Sequence, residues 1–430
     1  MSFRSKFVVV VFSATLALYT VVGGWMYTRA QQQNDPGAQL RIFESVLQHI
    51  QQDYVDAPDL NKVRAGALRG LAYGLDPYST YLTIDQVRDF RANVDRSQFG
   101  IGAELSQVAS YLYVVAPVKG GPAEQAGLQS GDIIEYIDGK ATRDISLYDA
   151  RQLLNGAPGS EAKLRILRAG TRPFIATVKR APFQTPAPET KMEAGRIGVL
   201  RVHSLAEGES VLVRSRLQEL LKSGAQKIVL DLRGVAGGSL NEAVRVANLF
   251  VREGALAQTI GKGNKLLKPF NADPANALFD GPAAVLIDRG TAGAAEVIAS
   301  AFSERKRGDV VGDKSFGAGA EQQLFTLRNG DGLLLTTVKW ASAGGKAFIG
   351  SGVTPTVEVK RPELAEAVDP DELTGNDDDA IAQPSANQQR EVAPEQPAAP
   401  KPQQEDVQLK KALEILRGAK QTEQPQRKAA

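Results

Sequence analysis

Four glycine-rich segments are where this chain could concentrate chemistry. Phe99-Gly100-Ile101-Gly102-Ala103 is a Gly–apolar–Gly loop that opens a strand. Consecutive N–H groups in such a loop can converge on an anion. A tight turn needs the same glycines, so the loop alone is a weak signal. The other three segments are Leu230 to Gly238 (LDLRGVAGG), Asp288 to Glu296 (DRGTAGAAE) and Val310 to Gly319 (VVGDKSFGAG). Hydroxyls near them belong to Thr291, Ser300, Ser303 and Ser315, and Lys314 is the nearest amine in sequence. Thr291 and Ser300 fall two residues before and about two helical turns after the Gly293 turn, so neither is placed to share one pocket with it.

The inventory of reactive types is short. There are no cysteines, which excludes disulfides, thiolate catalysis and Cys-ligated zinc. The two histidines, His49 and His203, leave no His-rich metal site and weigh against a Ser–His–Asp arrangement. His203, at a strand end, reads as a surface or satisfied histidine rather than a base. No metal and no cofactor is expected. The net charge of +2 gives no global field toward nucleic acid. With 430 residues, 43% hydrophobic and 23% charged, the chain suits two or three ordinary globular domains.

The elements that must position these segments follow from periodicity. Apolar residues at Leu40, Phe43, Val46, Leu47 and Ile50 make one helical face, and helices also fit Leu60–Leu75 and Ile84–Val94, a small helical subdomain over 31–97. Residues 98–184 read as a compact, mostly β module, with strands at Tyr111–Val115, Ile133–Ile137, Lys163–Leu167 and Phe174–Val178 and a helix at Ser146–Leu154. A Pro-rich hinge closes it. Over 185–362 strands and helices alternate, which argues an α/β core. From 363 to 430 Pro, Gln, Ala, Glu and Asp dominate, a composition that cannot bury a core and reads as disordered. Within it, Asp406 to Arg417 has helical spacing and reads either as a docking helix or as a transient one.

Residues 1–30 set the compartment. Arg4 and Lys6 precede an apolar run from Phe7 to Tyr27, long enough to cross a bilayer, which needs about 20 residues. The run exceeds the about 7–15 residues of a cleaved signal peptide's apolar region, so an uncleaved signal anchor is preferred to cleavage. Either way the bulk of the chain is expected on the periplasmic or extracytoplasmic side of the cytoplasmic membrane, as a single-pass protein if the anchor is kept.

Gly121-Pro122-Ala123-Glu124-Gln125-Ala126-Gly127-Leu128, then Gly131-Asp132-Ile133-Ile134 and Asp138-Gly139, following the Gly100–Ala103 loop, resemble a bacterial-type PDZ domain. LDPYSTYL at 75–82, the three core segments above and SGVTPTVEV at 351–359 resemble, in that order, the C-terminal processing (tail-specific) serine peptidases, over about residues 40–360. The resemblance implies a multidomain α+β protein: an N-terminal helical subdomain, a PDZ domain, an α/β (crotonase/Clp-like) protease core and a C-terminal tail. It implies a serine nucleophile at a strand-to-helix turn and a lysine base 25 residues later, its pKa depressed by burial. Here those positions are Gly293 and Ala318, and the 25-residue spacing is kept. Glycine has no side chain to attack with, and alanine nothing to take a proton. The family's oxyanion pocket would fall on Gly237 or Gly238 and on Ala294, with Glu296 supporting the turn, while Val235-Ala236 stands where Asn-Pro is usual. Ala295 departs from the pattern as well, which argues drift of the whole site against two deliberate changes.

The expectation is therefore a C-terminal processing peptidase homologue that binds protein C-termini through Gly100, Ile101, Gly102 and Ala103 but has lost its Ser–Lys pair. The alternatives are an active serine-type endopeptidase with a relocated nucleophile, and a membrane-anchored structural adaptor.

Overall fold

The computed structural model describes residues 36–92, 100–143, 145–360 and 405–418, with a few positions between 13 and 20. Most of the apolar run 7–27, Phe99 and residues 361–404 lie outside the described residues. No helix among the described residues is long and apolar enough to cross a membrane.

The chain divides into two units, one up to Leu68 and one from Arg69. The first holds helix Pro36–Asp53, where His49 Nδ1 lies 2.7 Å from Asp53 Oδ2 one turn on. Helix Leu60–Tyr73 begins in it and runs past its end. The division falls inside the expected helical subdomain over 31–97. Thr80–Leu82 is a strand that pairs antiparallel with the long strand Gly332–Ser342, and Tyr81 Oη donates to Asp331 Oδ2 at 2.5 Å. Helix Ile84–Arg91 buries Val87 against Leu82 and Leu334. Apolar spacing identified this helix, but its partner lies some 250 residues on, where no local pattern can announce it.

The PDZ domain of the second unit is a five-stranded antiparallel path in the order 103–108, 111–117, 133–137, 161–167, 174–179, with Lys140–Ala141 paired to 133–137. Helix Leu147–Leu154 starts at Ser146, whose Oγ accepts the Asp149 N–H at 3.0 Å. It buries Leu147, Ala150 and Leu154, the 3–4 spacing that turns one helical face inward. Its cluster includes Ile101, Leu112, Ile134, Leu164 and Val178. Strand Ala103–Val108 is an edge, opposite that helix across an open groove.

The core is a six-stranded sheet in the order 357–358, 309–312, 283–287, 227–231, 197–201, 189–193, parallel except for the last pair. Its strands are continuous apolar runs (IVL, AAVLI) because both faces are covered. Helices Glu209–Lys222, Leu240–Asn248 and Ala294–Glu304 pack on one face, around Leu217, Val246, Ile298 and Phe302. The C-terminal helix Val407–Gly418 covers the other, burying Ala412, Leu413 and Leu416 on Val199, Val229, Leu286 and Val311. It is thus a docked helix. Arg233 fixes it: its guanidinium pairs with Asp231 and, at 2.8 Å through each terminal nitrogen, with both Asp406 oxygens. Burial alone would raise the Asp231 carboxyl, but Arg233 and Arg201 hold it below the ordinary range. At the far end Lys227 Nζ donates to the Leu416 carbonyl at 2.6 Å.

A second sheet, Thr80–Leu82, Gly332–Ser342, Ala255–Gly261 and Lys265–Asn271 with Ala320–Thr326 added to 332–342, flanks the core. The PDZ sheet is buried on the core loops. Tyr111, Tyr113, Val115 and Ile133 meet Ala292, Phe316 and Ala318, and the Tyr113 and Phe316 rings stack at 5.5 Å.

Candidate functional site

Three loops at the carboxyl ends of the parallel strands build the core site. The first runs from Asp231 to Ser239, the second from Asp288 to Gly293, the third from Asp313 to Gly319. They are laced together by their own backbone. Asp288 Oδ1 accepts the N–H groups of Gly234 and Gly290 at 2.9 and 3.0 Å. Ala292 N–H donates to Val235 O at 2.9 Å, and Phe316 N–H to Thr291 O at 3.0 Å.

Gly293 sits at the strand-to-helix turn with φ +61°, at the N-cap of helix Ala294–Glu304. Glu296, at the third helical position and fully buried, reaches back to its N–H at 2.8 Å. The same oxygen, Oε2, accepts the Ala318 N–H at 2.8 Å, and Oε1 accepts Gly317 N–H at 2.8 Å and Ser315 Oγ at 2.5 Å. One carboxylate therefore holds the backbone of Gly293 and Ala318 side by side. Burial pushes its carboxyl up to about 7, and the four donors pull the other way.

Gly293 and Ala318 line one cavity of about 160 Å³ with Gly237, Gly238, Ala292 and Gly319. The remaining walls are Tyr78, Glu104, Leu105, Val115, Arg151, Ala320, Gln322 and Trp340. Serine, threonine, lysine and histidine are absent from this lining. Tyr78 supplies its hydroxyl, and burial raises that phenol further from ionisation. The hydroxyls near in sequence face elsewhere: Thr291 Oγ1 donates to Leu232 O at 3.0 Å, Ser300 Oγ to Val297 O at 3.0 Å, and Ser315 Oγ to Glu296. Lys314 is exposed. The positions the resemblance assigns to an oxyanion pocket differ among themselves. Ala294 N–H donates to Gly237 O at 3.2 Å, which fills the direction an oxyanion would take. The N–H groups of Gly237 and Gly238 make no hydrogen bond among the described residues. Gly238 must be glycine: φ is +88°, and a Cβ would lie 2.7 Å from Leu205 O.

A groove of about 840 Å³ adjoins this cavity, between strand Ala103–Val108 and helix Leu147–Leu154. Gly100, Ile101, Gly102, Ala103, Glu104 and Leu105 form one side. The N–H groups of Ile101 and Gly102 donate to no partner among the described residues, so the loop presents donors. Gly102 has φ +68°, and a Cβ there would lie 3.0 Å from Pro122 Cδ and 3.2 Å from Phe183 Cε1. Glu104, Leu105 and Arg151 line both groove and cavity. Arg151 donates to Glu104 Oε1 at 2.7 Å and to Leu105 O at 3.3 Å, an outward carbonyl on the edge strand. His203, from the core, lines the groove as well. Its side chain is buried and its Nε2 lies 3.0 Å from Glu189 Oε1, so it is not a surface histidine. Sequence reading did not single out Glu104, Arg151, Phe183 and Trp340, which come from separate elements and line one or both concavities.

Comparison with known proteins gives one answer. The profile of peptidase family S41 matches residues 196–359, and that of the PDZ domain residues 113–168. The carboxy-terminal processing protease CtpA of Bacillus subtilis (strain 168) is 31% identical over 319 residues, 74% of this chain and 68% of that protein. The carboxy-terminal-processing protease of Bartonella bacilliformis is 30% identical over 390 residues, 88% of either chain. Among solved structures, the photosystem II D1 C-terminal processing protease superposes with a TM-score of 0.64 at 26% identity, covering 74% of this chain and 86% of that one.

Proposed function

The chain belongs to peptidase family S41, with the carboxy-terminal processing proteases, and from that membership we propose that it is a receptor for protein C-termini whose core does not cut them. One observation carries this reading: the cavity that Gly293 and Ala318 share has no hydroxyl nucleophile other than a neutral phenol, and no lysine or histidine to serve as base. Loss of a whole catalytic unit costs about six orders of magnitude in kcat where it has been removed from a serine protease. The PDZ groove, by contrast, keeps the apparatus of strand addition: an unpaired strand edge, a glycine loop with unengaged N–H groups, and a helix opposite.

The location belongs to the same proposal. Arg4 and Lys6 before the apolar run 7–27 hold the amino end in the cytoplasm and the rest outside the cytoplasmic membrane. Receptor and membrane segment together would present the groove to the tails of exported proteins.

The test is incubation of residues 31–430 with an unstructured protein substrate, alongside labelling by a fluorophosphonate. The expected outcome is intact substrate and no label. Cleavage that disappears in Thr291→Ala or Ser315→Ala would replace this reading with an active peptidase using a relocated nucleophile.

A further inference from the structure

The groove is not built by the PDZ domain alone. Residues from outside its sheet line it too, among them Phe183, after the last strand of the domain, and His203, two residues past strand Ile197–Arg201 of the core. These two stand at the glycine-loop end. Phe183 is the ring that a Cβ on Gly102 would strike. The His203 ring is within electrostatic reach of Lys119 and of Glu124. Those two groups flank the loop, since Val118 N–H donates to Gly102 O at 2.8 Å and Ala123 N–H to Ile101 O at 2.7 Å.

The imidazole is held and incomplete at once. Its side chain is 3% exposed, and Nε2 lies 3.0 Å from Glu189 Oε1. Nδ1 makes no hydrogen bond among the described residues, yet it is not among the sealed, unsatisfied atoms of the interior. The groove is thus lined by a ring whose Nδ1 has no partner among the described residues, and the same groove is lined by the Gly100–Gly102 loop. The charged groups facing it are Glu189 on strand Glu189–Glu193, Arg201 on its own strand, and Lys119 and Glu124 at the start of helix Pro122–Gln125.

We propose that His203 is a specificity residue of the tail-binding groove: when a C-terminal carboxylate seats on Gly100–Gly102, the imidazole takes a proton from solvent and, steadied by Glu189, pairs with that carboxylate. The inference rests on the tail-receptor reading above and adds to it a core residue and a linked proton. Burial holds the free ring below the ordinary histidine range, Arg201 and Lys119 act in the same direction, and Glu189 opposes them. Before a tail binds, the ring is therefore neutral at neutral pH. A second carboxylate beside Glu189 favours the charged form. Binding then takes up a proton, and affinity rises as pH falls through the histidine range. A peptide carboxyl, which titrates near about 3.5, and backbone N–H groups do not change over that range.

The experiment uses residues 31–430 and an apolar-ended peptide, as free acid and as C-terminal amide, titrated at about pH 5.5 and about pH 8, either side of the histidine range. Calorimetry in two buffers of different ionisation enthalpy counts the proton. The free acid should bind about tenfold more tightly at the lower pH, as follows when a bound carboxylate makes the ring about tenfold easier to protonate, with proton uptake on binding. The amide should show no slope. His203→Gln should remove the slope and the proton uptake, and Glu189→Gln should move the slope to lower pH, because the ring loses the anion that favours its charge. A slope unchanged in His203→Gln, or shared by acid and amide, overturns the role of His203 while leaving tail binding intact. Failure of both peptides to bind at either pH overturns the tail-receptor reading and this inference with it.

Discussion

The two concavities of the larger unit share a wall of Glu104, Leu105 and Arg151, and they differ in what their backbone is doing. In the groove, the N–H groups of Ile101 and Gly102 point at nothing among the described residues. In the cavity, those of Gly293, Gly317 and Ala318 converge on Glu296 and that of Ala294 is taken by Gly237 O, while those of Gly237 and Gly238 are left unengaged among the described residues. Both regions use glycines with positive φ. In the groove Gly102 lets the loop lie close against Pro122 and Phe183; in the cavity Gly293 lets two loops close on one another. Each donor engaged in this way adds rigidity and is lost to a reacting atom, because a donor already engaged cannot meet developing charge.

The largest expected effect is on the clasp of the core. Arg233→Met leaves Asp231 buried without its main partner and takes the guanidinium from Asp406, just before the C-terminal helix. We expect about 3–5 kcal/mol of destabilisation, the usual result of breaking a buried pair from one side, read by urea unfolding. Proteolysis should then remove the helix from the folded chain. A loss below about 1 kcal/mol would show the pair to be no more than a surface bridge in its effect.

Next is the groove. Gly102→Val places a β-branched residue at φ +68° with its Cβ against Pro122 and Phe183. Peptide affinity should fall at least about a hundredfold by fluorescence anisotropy, because valine is excluded from that region of backbone space. Equal binding by wild type and variant would mean that the loop is not the carboxylate site.

The cavity is probed by pH. Glu296 has its folded pKa raised to about 7 from the ordinary 4.5, so between these values the folded state holds a proton that the unfolded state has lost. Stability from this group is therefore greatest below about pH 4.5 and falls as pH rises to about 7, by up to ~3 kcal/mol. Wild type should lose ground relative to Glu296→Gln over that interval in paired thermal melts. A difference that stays constant with pH would mean that the four donors keep the carboxylate ionised throughout.

The smallest effect is expected where chemistry would be looked for first. Gly293→Ser with Ala318→Lys restores the residue types of the family pair, but Ala294 N–H still faces Gly237 O, and the new Cβ at 293 would lie 3.3 Å from that oxygen. Cleavage of an unstructured substrate should stay near background, since lack of one oxyanion donor alone costs about 10²–10³ in kcat. Robust turnover would show that only the two side chains were missing.

Much of this arrangement was legible in the chain. The parallel sheet was, because strands such as Ala283–Ile287 are buried on both faces and read as unbroken apolar runs between amphipathic helices. The glycine loop and the Gly293–Ala318 spacing were as well, since backbone-built sites leave glycines at fixed offsets. The second sheet was not. Lys265–Asn271 carries two lysines and a proline and is largely exposed, and Ala320–Thr326 is mostly polar, so neither shows a hydrophobic period. The register of Ala320–Thr326 is set by the long strand Gly332–Ser342. Arg233 and Asp406 are 173 residues apart, and the walls Glu104, Arg151 and Trp340 come from three separate elements. Such contacts exist only in the folded chain.

The strand Thr80–Leu82 carries a consequence for how the molecule is made. A chain emerges amino end first, and every ladder of the PDZ sheet closes between residues 103 and 179. Thr80–Leu82 must wait for Gly332–Ser342, and Arg233 for Asp406. The loops that these pairings close span most of the polypeptide, and such closures are slow to form. The peptide-binding module is thus a short-range structure maturing inside a long-range one, folded while the two ends of its host are still searching for each other.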